Sequence, residues 1–138
     1  MVLPEDAQGL PPLTILLAED NDVNRVLVKH LLEHGGHRTV VAHDGAEALT
    51  EWGRGGIDLI LMDVQMPGID GIEATRLIRQ QETKRGVHTP IIALTAHAMC
   101  DDRERFLRHG FDGYIAKPLK VKGLFDEIAR CYGLSGPP

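Results

Sequence analysis

Five residues with reactive side chains stand directly after short apolar runs. Leu13 to Ala18 is followed by Glu19 and Asp20, Ile57 to Met62 by Asp63, Ile91 to Leu94 by Thr95, and Tyr114-Ile115-Ala116 by Lys117 and Pro118. If the four runs are neighbouring parallel strands, their C-terminal ends bring three carboxylates, a hydroxyl and an ammonium to one spot. Open α/β sheets place their ligands there. Three acids repel one another and repel a phosphoryl group, so the cluster calls for a bound cation. The chemistry that fits is a divalent metal beside a phosphoryl group. Each acid taken singly reads more readily as a helix N-cap or a solvated turn than as a catalytic group; it is their conjunction with Thr95 and Lys117 that points to chemistry.

The rest of the chain must position these groups. Short apolar runs alternate with stretches of helical period, the pattern of repeated βα units and a parallel sheet. The first strand, Leu13 to Ala18, is apolar almost throughout, as a central strand covered on both faces should be. Asn21 or Asp22 caps a first helix whose apolar face reads as Val23, Val26, Leu27, Leu31 and Val28, and Gly35-Gly36 ends it. His37 to Ala42 is a second strand, Asp44 opens a helix from Ala46 to Trp52, and Ile57 to Met62 is the third strand. The loop Val64-Gln65-Met66-Pro67-Gly68 turns the chain, since Pro67 has no N–H to donate and Gly68 permits a positive φ. A helix from Gly71 to Glu82 turns Ile72, Ala74, Thr75, Leu77 and Ile78 inward. Strand Ile91 to Leu94, helix Ala98 to His109, strand Gly113 to Ala116 and helix Val121 to Cys131 complete a (βα)5 α/β domain; the last helix repeats Val121, Leu124, Phe125 and Ile128 at helical spacing.

The 138 residues suffice for one domain with a real core. Residues 1–12, with Pro4, Gly9, Pro11 and Pro12, read as a linker or flexible extension, and 134–138 as a flexible tail. A net charge of -5 argues against direct nucleic-acid binding. No apolar stretch approaches the roughly 20 residues of a membrane span, and the start lacks the basic and apolar regions of a signal peptide, so a cytoplasmic domain without membrane insertion is expected. Cys100 and Cys131 fit no paired-cysteine metal motif and read as free thiols. His30 and His34, one helical turn apart and close to His37, have a spacing that could hold zinc, or they line the exposed side of the first helix near a partner's docking surface.

The segments ILLAEDNDVNR, DLILMDVQMPGIDG, PIIALTAHA and GYIAKPL span nearly the whole folded region. They resemble the receiver domain of two-component response regulators. The resemblance implies a flavodoxin-like, doubly wound parallel five-stranded sheet of order 2-1-3-4-5 over residues 13–133. It also implies that Asp63 is the phosphoacceptor, taking a phosphoryl group from a histidine kinase or a histidine phosphotransfer protein as an acyl phosphate, a role open to a carboxylate nucleophile. Mg²⁺ is the implied cofactor, since it takes hard oxygen ligands and keeps several waters. Asp20, Asp63 and the backbone carbonyl of Gln65 would be direct ligands. Glu19, one methylene longer than the Asp common at that place, would act through water.

Lys117 would supply charge to a phosphoryl oxygen; its structural alternative is a salt bridge with Asp20 or Asp63. The Lys117–Pro118 bond is expected to be cis, as in the family. Thr95 and Tyr114 match the hydroxyl and aromatic pair that couples phosphorylation to shape, although Tyr114 also reads as a fixed, half-buried strand aromatic. Gln65 and His97 occupy the places that tune acyl-phosphate lifetime, with a plain polar loop residue as the other reading of His97. The output face would be residues 98–109, 113–116 and 121–131, and a phosphorylation-dependent homodimer is a further expectation.

The domain is thus expected to be a signalling module that assists only its own phosphorylation and dephosphorylation, not a turnover enzyme. DNDVNR and LTAHAM look like receivers of hybrid histidine kinases, while a stand-alone regulator fits equally well. An interaction-only pseudo-receiver is disfavoured because Glu19, Asp20, Asp63, Thr95 and Lys117 are all present. A haloacid-dehalogenase-like phosphatase needs a second Asp two residues after the nucleophile, and the chain has Gln65 there.

Overall fold

The computed structural model describes residues 10–96 and 102–135. Along the chain lie β1 (Thr14–Ala18), α1 (Asp22–His34), β2 (Arg38–Ala42), α2 (Gly45–Gly53), β3 (Leu59–Asp63), α3 (Gly71–Arg85), β4 (Ile91–Thr95), α4 (Asp102–Arg108), β5 (Gly113–Ala116) and α5 (Val121–Ser135). All strand pairs are parallel and the order is β2-β1-β3-β4-β5, as the resemblance implies.

Alternation along each strand sends successive side chains to opposite faces, and helices cover both. On one face Ile15, Leu17, Leu61 and Leu94 pack against Val28 and Leu32 of α1 and Leu124, Phe125 and Ile128 of α5. On the other, Leu16, Ile60, Met62 and Ala93 meet Trp52 of α2, Ala74 and Ile78 of α3, and Phe106 of α4. Burial on two sides is why the strands read as continuous apolar runs instead of alternating ones.

Caps fix the helix starts. The side chains of Asn21, Asp44 and Asp70 accept the N–H groups of Asn24, Glu47 and Glu73 at 2.9, 2.8 and 2.8 Å, so Asn21 and not Asp22 caps α1. Gly68 carries the positive φ that the turn after β3 requires.

Several sequence expectations shift, among them the end of α3, which lies at Arg85 and not Glu82, and the start of β3, at Leu59 and not Ile57. The apolar face of α1 is Val28 and Leu32, with Leu31 partly buried against them, whereas Val23, Val26 and Leu27 are 75%, 67% and 47% exposed. The helix carries two adjoining apolar stripes, periodicity cannot choose between them, and contact with the sheet and α5 selects the later one. β3 and β4 run one residue further than expected, so Asp63 and Thr95 are the buried last residues of their strands. α5 continues past Cys131 to Ser135. The expected helix 98–109 is represented by α4, since 97–101 lie outside the described residues together with His97 and Cys100.

His37 lies just before β2, buried, its Nδ1 accepting the Leu13 N–H at 3.0 Å. It is not available to an ion shared with His30 and His34. Cys131 is buried and free; burial and then the Glu127 carboxylate push its thiol up to about 12. Among the described residues no helix is long and apolar enough to cross a membrane.

Candidate functional site

β1 and β3 lie side by side with Ala18 opposite Met62, so the next residue of each, Glu19 and Asp63, stand abreast. Asp20 follows at once. β4 separates β3 from β5, and a side chain from β5 must reach across it. Lys117 is long enough: its Nζ lies 2.9 Å from Glu19 Oε1 and 3.2 Å from Asp63 Oδ2. Its backbone is held by the Lys117 N–H donating to the Thr95 carbonyl at 2.8 Å. The ammonium therefore pairs with Asp63 as expected, and with Glu19 instead of Asp20. The Lys117–Pro118 peptide is cis.

One carboxylate oxygen from each of Glu19, Asp20 and Asp63 lies within 4.8 Å of the others. Glu19 is fully buried; its Oε2 accepts the Asn21 N–H at 3.3 Å and its Oε1 faces the Lys117 ammonium. Asp63 is nearly buried and its Oδ1 accepts the Gln65 N–H at 3.2 Å. Asp20 is exposed.

The electrostatics follow from crowding. Burial, then the hydrogen bond and negative charge of Glu19, push the Asp63 carboxyl up to about 7, against the opposing pull of Lys117. Burial also raises Glu19, yet its hydrogen bond to Asp63 and the Lys117 ammonium hold it below the ordinary carboxylate value. Burial works against the Lys117 charge, but the two acids hold its ammonium above the usual lysine value. Without a cation, Asp63 therefore takes up a proton well above the ordinary carboxylate range. Three carboxylates offering only hard oxygens within 4.8 Å of one another, with one ammonium paired to two of them, fit a hard divalent cation.

These groups open into one cleft of about 770 Å³, lined by Glu19, Asp20, Asp63, Thr95 and Lys117, with Gln65 at its rim. Thr95 is buried at the cleft floor. Tyr114 lies outside the cleft: half-buried, its ring is 5.7 Å from Phe106, with the Arg103 guanidinium 5.6 Å from its centroid. His97 falls outside the described residues.

Sequence reasoning missed two supporting residues. A Cβ on Gly71 would lie 2.1 Å from the Asp63 carbonyl oxygen, so α3 can begin against the end of β3 only with glycine there. The signal was Gly71 itself, read as no more than the first residue of a helix. Arg25 donates from Nη1 to the Glu19 carbonyl at 3.0 Å and pins the loop that carries the acids; it closes the DNDVNR segment, which is read for its resemblance and not for this contact.

Residues 15–129 match the family model of the response regulator receiver domain. The chain belongs to the response regulator receiver family. This receiver is 45% identical over 122 residues to hybrid signal transduction histidine kinase I of Dictyostelium discoideum, a match that covers 85% of the chain and 7% of that protein. It is likewise similar to two GacS kinases, of which it spans 14%. Its fold is similar to that of the receiver domain of sensor histidine kinase PA1611 from Pseudomonas aeruginosa, solved with a magnesium ion coordinated in its active-site cleft, at 42% identity and a TM-score of 0.79, covering 89% of this chain and 99% of that one. It is also similar to the Saccharomyces cerevisiae co-crystal of the histidine phosphotransfer protein Ypd1 with the receiver domain of Ssk1, at 30% identity and a TM-score of 0.85, covering 92% and 93%.

Proposed function

We propose that this receiver accepts a phosphoryl group on Asp63 from the phosphohistidine of a histidine kinase or a histidine phosphotransfer protein. The observation that carries the reading is Lys117 spanning β4 to meet both Glu19 and Asp63 at the floor of an open acidic cleft. Glu19, Asp20 and Asp63, with the Gln65 carbonyl, would hold Mg²⁺, which when bound offsets the acids' charge and stabilises charge on phosphoryl oxygens. The magnesium in the similar PA1611 receiver supports this choice of ion.

In the transfer, a carboxylate oxygen of Asp63 bonds to phosphorus as the N–P bond breaks. The donor imidazole leaves with that electron pair, and Asp63 becomes an acyl phosphate. Lys117 shifts its ammonium from the acids to a phosphoryl oxygen, and the Thr95 hydroxyl donates to another. Drawing Thr95 inward frees space toward which Tyr114 turns, moving the face made by α4, β5 and α5 between two pre-existing states. Gln65 and His97 then set how readily water reaches the acyl phosphate.

The donor docks beside the cleft on the exposed stripe Val23, Val26 and Leu27 of α1. A groove of about 340 Å³ between Leu27, Lys117, Pro118 and Leu119 links that stripe to the phosphorylation site. An exposed apolar helix face suits a helical donor surface, and the similarity to the receiver crystallised with Ypd1 supports such a partner.

The test is intact-mass measurement after incubation with Mg²⁺ and either phosphoramidate or a phosphorylated histidine phosphotransfer protein. The wild type gains one phosphoryl group; Asp63→Asn gains none, and chelating the metal suppresses the gain. Equal labelling of Asp63→Asn would refute the phosphoacceptor assignment. A wild type inert to every donor would favour the interaction-only module.

A further inference from the structure

His30 and His34 are exposed on α1 one turn apart, with ring centroids 6.2 Å apart and planes within 16° of parallel. Among the described residues neither imidazole is engaged in a hydrogen bond or ion pair. Residues four apart share a helix face, and that is the spacing at which paired helical histidines hold zinc. Imidazole selects ions of the zinc, nickel and copper class, whereas Mg²⁺ selects carboxylate oxygens, so the two ends of α1 favour different metals.

We propose that His30 and His34 chelate one divalent transition ion of the zinc class, and that the bound ion blocks the donor-docking face of α1. Rotation about the two side chains suffices to bring one nitrogen of each to the ~2.0–2.1 Å of a Zn–N bond. Among the described residues no further ligand is free close by: His37 is buried and accepts from Leu13, and Glu33 faces Lys29 at 3.7 Å. Water fills the remaining positions. Structural zinc sites close with four protein ligands; a site with two binds more weakly, and its occupancy follows the free metal concentration.

His30 also lines an apolar depression of about 590 Å³ with Val23, Val26 and Leu27. A hydrated dication there adds charge and bound water to a surface that a donor helix must desolvate. The site stands on the histidine geometry alone, while its blocking effect rests on the docking reading above.

The experiment keeps the receiver in excess Mg²⁺, so that the carboxylates are satisfied, and titrates Zn²⁺ against the imidazole NMR signals. The resonances of His30 and His34 move together and saturate at one ion. His34→Asn weakens binding by about tenfold or more, since losing even an outer-shell partner costs ~10–100-fold. Zinc then slows phosphotransfer from the phosphorylated protein donor but not from phosphoramidate, which needs no docking, and His34→Asn removes that sensitivity. Unmoved imidazoles, or equal affinity in His34→Asn, overturn the site. Equal slowing with both donors overturns the blocking effect by placing the ion at the carboxylates. If neither donor labels the zinc-free receiver, the phosphoacceptor reading fails, and the imidazole titration still decides the site.

Discussion

The two ends of one sheet carry charge in opposite ways. At the C-terminal ends of the strands, Glu19 and Asp63 share the ammonium of Lys117 with Asp20 close beside them, and Asp63 is pushed up to about 7. At the N-terminal ends, Arg79 donates to the Gly110 and Thr89 carbonyls and to Asp112 Oδ2 at 2.8 Å each, and to Glu82 Oε1 at 2.6 Å. The other carboxylate oxygens are used as well: Glu82 Oε2 accepts the Thr89 N–H, and Asp112 Oδ1 meets the His88 ring at 2.8 Å. Charge that holds a fold is matched donor for acceptor. Charge that awaits a ligand is left in excess, and the strain shows in the carboxyl of Asp63.

The comparison breaks most visibly at the matched end. Arg79→Ala leaves Glu82 and Asp112, both largely buried, without their cation. Removing one partner of a buried ion pair costs about 3–5 kcal/mol, and urea unfolding should show a loss of that size with an unchanged slope. A loss below about 1 kcal/mol, the worth of an exposed pair, would put the two ends on the same footing. Next in size is Gly71→Ala, which brings a methyl group against backbone at the Asp63 carbonyl, where no side chain can swing aside. Such overpacking costs up to about 3 kcal/mol. Because the displaced atom belongs to Asp63, the proposed phosphoacceptor and metal ligand, Mg²⁺ titration should show weakened binding as well; an unaltered titration would mean that α3 yields and β3 stays.

What the sequence reveals divides along the same line. Asp63, Lys117 and the acid pair are legible because each must sit at a strand end, and four strand ends are easy to count in a parallel sheet. The Arg79 network is not, since its partners lie up to 33 residues away in sequence and no short motif joins an arginine inside α3 to the loop before β5. The core face of α1 is misread for a third reason. Val23, Val26 and Leu27 are as apolar as Val28 and Leu32, and only packing against Phe125 and the sheet tells core from surface. The exposed stripe is the one proposed above as the donor's docking face.

At the unmatched end the expected sign reverses. Because Asp63 binds its proton more tightly folded, at about 7, than unfolded at ~3.9, its contribution to stability is complete below the unfolded value and is lost as the pH rises through 7. Metal-free wild type should therefore lose stability between about pH 4 and pH 7 through this group. Asp63→Asn should lack that loss and, in chelator at pH 8, be more stable by about 2 kcal/mol. Parallel urea curves across that range give the difference, and an Asn variant less stable than wild type at pH 8 would show that the acids are not in excess.

The smallest effect tests whether the two ends are independent. Trp52 Nε1 donates to the Thr89 hydroxyl at 3.0 Å, both buried, and the Arg85 guanidinium lies 4.7 Å from the indole centroid. Trp52→Phe keeps an aromatic ring but leaves the hydroxyl without its donor, at a cost of about 1 kcal/mol. Removing the acceptor as well, in Trp52→Phe with Thr89→Val, should recover part of that cost, and a double-mutant cycle should return a coupling of about 1 kcal/mol. None of it should reach the opposite edge of the sheet. Magnesium affinity and the initial rate of phosphoramidate labelling are expected to match wild type, because neither residue touches the strand ends that hold Glu19, Asp63 and Lys117. A shift in either would show that the matched network transmits strain through β4 to the acids, and the contrast between the two ends would then be one of degree.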